Sequence, residues 1–137
     1  LKNLLDVRKI ISPEMAAIAA VNRTIDHLQH IQEAIHNTDN VSVLERDYLI
    51  HRIIAKASGN LFFLFILNFF QRIFRDYGYL YFDQPENAAR SEIFHMEIYD
   101  AILEKDSQKA RMVMNDVLVY TEEQIYEAYE NQVGAAT

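Results

Sequence analysis

Asp47 and His51 stand four residues apart in RDYLIHRIIAKASGN, the stretch from Arg46 to Asn60. On a helix this spacing brings both side chains to one face, with Cβ atoms about 5–6 Å apart, which suits an ion pair or two ligands of one metal ion. His95 closes Glu92-Ile93-Phe94-His95, a Glu-x-x-His of the kind that di-iron helical bundles carry twice, with two further glutamates. A single copy leaves a di-iron oxidase short of ligands. His27 and His30 sit three apart between Ile25 and Ile31, but nothing acidic joins them at ligand spacing, and they read as a solvated edge. The chain has no cysteine, so it has no thiolate metal site and no disulfide framework, which fits a cytoplasmic protein. No Ser-His-Asp spacing, glycine-rich phosphate loop or nucleophile elbow supports a hydrolase or a nucleotide-binding enzyme.

The elements that must position these residues are helices. With 50% apolar residues in periodic spacing and only three Gly and two Pro among 137 residues, sheets with many turns and disorder are both disfavoured. One all-α domain is expected. Ser12-Pro13-Glu14 divides Lys2 to Ile11 from Glu14 to Val21, giving two helical pieces or one kinked helix, with Met15, Ile18 and Ala19 turned inward. Thr24 caps a second helix with its stripe at Ile25, Leu28, Ile31 and Ile35, ended by His36-Asn37-Thr38-Asp39-Asn40. Ser42-Val43-Leu44-Glu45 is a capping box and opens the helix holding Asp47 and His51.

Ser58-Gly59-Asn60 stops that helix, and Asn60 caps LFFLFILNFFQRIFRDYGY, a run apolar nearly all round and so expected to be the buried central helix. It is too short to cross a bilayer, because Asn68, Gln71, Arg72 and Arg75 interrupt it before the required ~20 apolar residues. Gln84-Pro85-Glu86 opens a fifth helix through Glu104, and Asp106 caps a last one from Ser107 to about Gln132. The expected architecture is an antiparallel bundle of about six helices. Besides Asp47, His51 and His95, its inward polar groups are expected at Asn68, Arg72, Tyr81 and Tyr120. The net charge of −7 argues against a nucleic-acid footprint on this piece, which would need clustered Lys and Arg.

Leu5-x-x-Arg8, Pro13-Glu14-x-x-Ala17-x-x-Ala20, Asp47-x-x-x-His51, Ala57-Ser58-Gly59-Asn60, His95-x-x-Ile98-x-Asp100-Ala101-Ile102 and Asp106-x-x-x-Ala110 follow one another in order. Together they resemble the C-terminal ligand-sensing domain, called FCD, of the GntR-type transcription regulators. The resemblance covers almost all of residues 1–137. It implies an all-helical effector-binding bundle, usually dimeric, behind an N-terminal winged helix-turn-helix that this chain lacks; the start at Leu1 instead of Met fits a piece of a longer protein. DNA would then be touched only through that other domain. In metal-binding members the site takes the Asp and His of Asp-x-x-x-His, a histidine at the position of His95 and a further histidine in the last helix. That last position is Val117 here, so the metal set implied for zinc or nickel is Asp47, His51 and His95 alone.

From Ala57 through Ile66-Leu67-Asn68, Gly78, Tyr81-Phe82 and Pro85-Glu86 the chain is similar to the FadR-like, acyl-CoA-sensing subgroup of that family, in which a tyrosine at the position of Tyr81 belongs to the ligand site. Phe62, Phe63, Phe65, Phe69, Phe70 and Phe74 offer aromatic surface that suits either a lipid-sized ligand or plain core packing. The sequence therefore reads as a non-enzymatic effector domain. A long-chain fatty acid or acyl-CoA is expected in the bundle interior, with Arg72, Tyr81 and Tyr120 at its head group and Phe74 and Val117 along its chain. The alternative is a metal-dependent sensor of a small carboxylate built on Asp47, His51 and His95, and a metalloenzyme on the same ligands would have only Glu92 to offer as a base. A homodimer without a membrane span is expected.

Overall fold

The computed structural model describes residues 2–136, so Leu1 and the reading attached to it lie outside the described residues. Six helices follow in chain order: α1 Lys2–Asn22, α2 Ile25–His36, α3 Val43–Ala57, α4 Leu61–Phe82, α5 Pro85–Leu103 and α6 Ser107–Ala136. No strand occurs among the described residues, and no described helix is long and apolar enough to cross a membrane. The all-α bundle expected from the sequence is the fold observed.

α1 is a single helix that continues through Pro13, whose ring is buried. Its inward side consists of Leu5, Met15 and the alanines Ala16, Ala17, Ala19 and Ala20, and such short side chains let neighbouring backbones come close. α6 is the neighbour it packs against most extensively. Ile18 and Ile25, both expected inside, face solvent at 37% and 76% exposure. Each sits on the outer side of its helix, with the core positions supplied by Ala16 and Ala20 on α1 and by Leu28, Ile31 and Ala34 on α2.

The caps explain where the helices begin. A complete capping box forms at Thr24, where the hydroxyl accepts from His27 N–H at 3.2 Å and the His27 Nδ1 accepts from Thr24 N–H at 3.0 Å. His27 thus satisfies a helix end. At Ser42 only the forward bond of the expected box is made, from Glu45 N–H to the hydroxyl at 3.2 Å. Gly59, at φ +75°, ends α3 in the left-handed region, and Asn60 receives Phe62 N–H at 3.0 Å to open α4. Asp106 receives Lys109 N–H at 3.0 Å and starts α6.

α4 is not the buried central helix that its composition suggests: α5 touches all five other helices, and α3 is the most deeply buried element, with nine of its 15 residues covered. α4 buries one stripe, Leu67, Phe70, Phe74, Gly78 and Tyr81, while Phe62, Phe65 and Phe69 are more than half exposed. Gly78 is where α3 comes closest, since a Cβ there would meet the Tyr48 hydroxyl at 2.7 Å. The core is correspondingly divided. A large cluster fills the space among α1, α2, α3, α5 and α6, and a smaller one, Leu5, Phe70, Phe74, Tyr81 and Ile125, joins α4 to α1 and α6.

The orientation of α5 is testable at two isoleucines five residues apart, Ile98 with no exposed surface and Ile93 at 50% exposure. Ile98→Ala is expected to cost about 2–5 kcal/mol. Ile93→Ala should stay within about 0.5 kcal/mol of the parent. Urea unfolding of both variants measures the difference, and equal losses would mean that α5 is turned differently.

Candidate functional site

The site lies where the two core clusters meet. α3 supplies Asp47 and His51 one turn apart, α5 supplies His95, α4 supplies Phe74 and Tyr81, α6 supplies Val117, and α1 supplies Arg8. The His95 Nε2 lies 2.8 Å from Asp47 Oδ1, and the His51 Nε2 lies 3.5 Å from Asp47 Oδ2. All three side chains are buried. An ionised carboxylate only accepts hydrogen bonds, so each imidazole that bonds to Asp47 must present an Nε2–H to it. The His95 Nδ1 is buried with no hydrogen-bond partner among the described residues. The His51 ring stacks on Phe94 at 5.4 Å between centroids, which fixes its plane.

Burial alone would raise the Asp47 pKa, but the charge and hydrogen bonds offered by His51, followed by those of His95, hold its carboxyl well below the usual carboxylate range. As an ion cage the arrangement falls short. The imidazole nitrogens are turned onto the carboxylate, and no group of three or more His, Cys, Asp or Glu side chains among the described residues is arranged to hold a metal ion. The three residues fit a hydrogen-bonded clamp between α3 and α5 better than they fit a metal centre as they stand.

Beside the clamp is a cavity of about 40 Å³, bordered by Arg8, Asp47, His51, Phe74, Tyr81 and Val117. That is room for a few water molecules, whereas ligand pockets run to several hundred Å³, so the bundle described here is closed. The Arg8 guanidinium lies 4.7 Å from the Phe74 ring centre and makes no hydrogen bond or ion pair with another described residue. Burial pushes its pKa down and the charge of Asp47 opposes that shift; a guanidinium stays cationic regardless. The Tyr81 hydroxyl is buried with no hydrogen bond of good geometry among the described residues; burial pushes its pKa up, and the Ser91 and Thr121 hydroxyls beside the same cavity oppose that shift. A cation and an orphaned hydroxyl therefore face one small, mainly apolar space.

The residues expected at a ligand divide into two groups. Phe74, Tyr81 and Val117 border the cavity. Tyr120 stands behind it: its hydroxyl donates to Asn87 Oδ1 at 2.8 Å, Asn87 Nδ2 donates to the Tyr81 carbonyl at 2.9 Å, and its ring meets Tyr81 edge-on at 6.3 Å. It positions Tyr81. Arg72 is exposed on the outer face of α4, away from the cavity, as is Asn68. Glu92 points outward and pairs with Arg46 at 2.8 Å, so it is not placed to serve as a base for the clamp residues. Arg8 borders the cavity too, and the sequence reading does not place it there. Its signal was Leu5-x-x-Arg8, a cation one turn after a buried leucine and therefore on the same side of the helix.

A family model described as FCD domain matches residues 3–119. The chain belongs to the FCD domain family. Two curated relatives, both named fatty acid metabolism regulator protein and both from Shewanella sp., strains MR-4 and ANA-3, are each 31% identical to it over 81 residues. The matched part is 58% of this FCD domain chain and 34% of each relative, so the chain corresponds to about a third of the length of those regulators.

Asp47→Asn keeps the shape of the clamp and removes its charge. At pH 7 the variant is expected to be less stable by about 1.5–3 kcal/mol, the range for hydrogen bonds to a charged group. The native carboxyl titrates below its unfolded value of about 3.9, so its contribution is complete above about pH 4 and is lost as the pH falls toward the native pKa. The gap between parent and variant in urea midpoint should therefore narrow below pH 4. A gap that does not change with pH would remove the charge from the explanation.

Proposed function

We propose that this FCD domain is the effector-sensing, non-enzymatic part of a transcription regulator, binding a long-chain fatty acid or its CoA ester in the space between α1, α4 and α6. The observation that carries the reading is the Arg8 guanidinium, unpaired and seated on Phe74 at the border of an apolar cavity. A carboxylate or thioester oxygen would take its hydrogen bonds from Arg8 and from the orphaned Tyr81 hydroxyl. The acyl chain would run along Phe74 and Val117 and part the small apolar cluster that joins α4 to the bundle. The names of the relatives agree with this ligand class.

A cavity of about 40 Å³ holds no acyl chain, so the ligand must favour a second arrangement with α4 and α1 moved apart. Binding shifts the population toward that arrangement by its difference in affinity for the two states. Because Arg8 is on α1, the ligand pulls directly on the first helix, which would pass the change to a DNA-binding domain preceding it in the regulator. The domain works as a homodimer. A metal-dependent sensor of a small carboxylate is the second reading, favoured by Val117 bordering the same cavity as Asp47 and His51.

Thermal melts with a chain-length series of fatty acids and CoA esters test the first reading. Long chains should raise the melting temperature, and Arg8→Met should lower their affinity roughly 10- to 100-fold, the worth of a lost charge-assisted hydrogen bond. Unchanged melting with every lipid, or equal affinity in parent and variant, would refute it.

Val117→His tests the second reading by adding an imidazole at the border shared with Asp47 and His51. Zinc affinity measured by calorimetry should rise by more than tenfold over the parent, about 1.4 kcal/mol per decade. The metal-free variant should melt lower, since a polar ring replaces a buried isopropyl group. If a small carboxylate stabilises the parent only with zinc present, and lipids do nothing, the second reading takes the place of the first.

A further inference from the structure

The outer side of α4 combines two features that the fold does not use. Leu61, Phe62, Phe65, Phe69 and Ile73 lie on the arc opposite its buried stripe, at exposures between 38% and 72%. Together they present on the order of 500 Å² of apolar side chain, and the largest patch on a soluble monomer, about 300–600 Å², is often functional. The second feature is charge. All 20 Asp and Glu residues fall outside residues 48–75, which hold Arg52, Lys56, Arg72 and Arg75. These four cations are exposed, and none makes an ion pair with another described residue. At about 100° per residue, Arg72 and Arg75 fall on the α3 side of the strip. Arg52 donates to Gln71 Oε1 at 3.3 Å on that same side, and Lys56 stands beside Leu61 at the start of α4. An aromatic ridge thus runs along the edge of a cationic band, with Glu33, Glu45 and Asp76 at the margins.

We propose that this face docks on the surface of an anionic phospholipid bilayer, with α4 lying in the plane of the interface. Leucine and phenylalanine side chains enter the headgroup boundary, while Arg72 and Arg75 lay their stems along the strip and reach lipid phosphates with their guanidinium groups. Arg52 and Lys56 add attraction to the anionic surface. The net charge of −7 does not oppose this, because at physiological salt a charge acts over about 8 Å and the band itself is free of acids. A protein partner would have to bring both a groove for a convex ridge and acidic side chains, whereas a fluid bilayer moulds itself to a ridge. A second copy along the same strip would set like charges against each other, so the homodimer of the reading above uses another face. Docking goes beyond the effector reading and does not need it. Where both hold, the helix that parts from α1 to admit an acyl chain is the one resting on the lipid.

Co-sedimentation of the 137-residue chain with vesicles, with no effector added, tests the proposal. The parent should sediment with vesicles of equal parts phosphatidylcholine and phosphatidylglycerol, less so as salt is raised, and stay in the supernatant with phosphatidylcholine alone. Phe65→Gln with Phe69→Gln should weaken binding more than about tenfold with helicity by circular dichroism unchanged, because both side chains are exposed. Arg72→Glu with Arg75→Glu should weaken it at least about 25-fold. Ile10→Gln, at an exposed position of α1, should bind like the parent. A parent that ignores both vesicles, or binds both equally, overturns the proposal, as does binding that survives either pair of substitutions. If a parent that ignores vesicles is dimeric by sedimentation equilibrium and the phenylalanine pair makes it monomeric, a second copy covers the strip. If it is instead retained on polyglutamate through the four cations, the band belongs to an acidic protein. The lipid melts described above are a separate measurement, so docking can fail while the effector reading stands.

Discussion

Asp47 sets the terms for the interior. A carboxylate that gives up water must find replacement donors or lose its charge, and here the donors come from two helices, His51 on α3 and His95 on α5. Meeting that demand fixes the separation and rotation of the two helices at one level of the bundle. Phe94 then has to fill the space against His51, and Arg8, on the opposite wall, feels a negative charge that lies too deep in the bundle to neutralise it by contact. The small cavity is the volume left between a clamp that cannot move apart and an α4 that is held by a second, smaller apolar cluster. Strong polar bonding on one wall and weaker packing on the other make α4 the wall that yields.

The sequence disclosed the helices well, because their boundaries are written in local chemistry. Thr24, Ser42, Asn60 and Asp106 each cap the helix that their position implies, and Gly59 stands at the one glycine site with a left-handed φ. Burial was less legible. α4 looks like the centre because it is the most apolar helix, but apolarity does not say which partner covers each face, and four of its ten aromatics are more than half exposed. α3 is the most deeply buried helix although Arg46, Asp47 and His51 make it look like an edge; those groups are buried because they are paired. Pro13, a plausible break, is accommodated within α1.

At the site, legibility followed helical phase. Asp47 and His51 were readable from their spacing, and His95 and Val117 from the family pattern, and these residues converge. Arg72 and Arg8 show the limit of such reading. Both are cations on apolar helices, and only the phase of each helix against the buried stripe decides which one faces inward; with α4 assumed buried all round, that phase was lost. Tyr120 was chosen for its polar tip, and that tip is already engaged by Asn87, a partner that no spacing rule links to it.

The alanines of α1 bear on how this helix can move. Large side chains interlock neighbouring helices like teeth, and displacing them requires whole rotamers to change. Ala16, Ala17, Ala19 and Ala20, at no more than 3% exposure, give α1 a smooth flank. Leu5 and Met15 are the large buried side chains on that flank, so a shear of α1 along its axis has two such side chains to repack instead of a full interlocked row. Between Arg8 and its last turn, α1 is built less like a ratchet than like a piston.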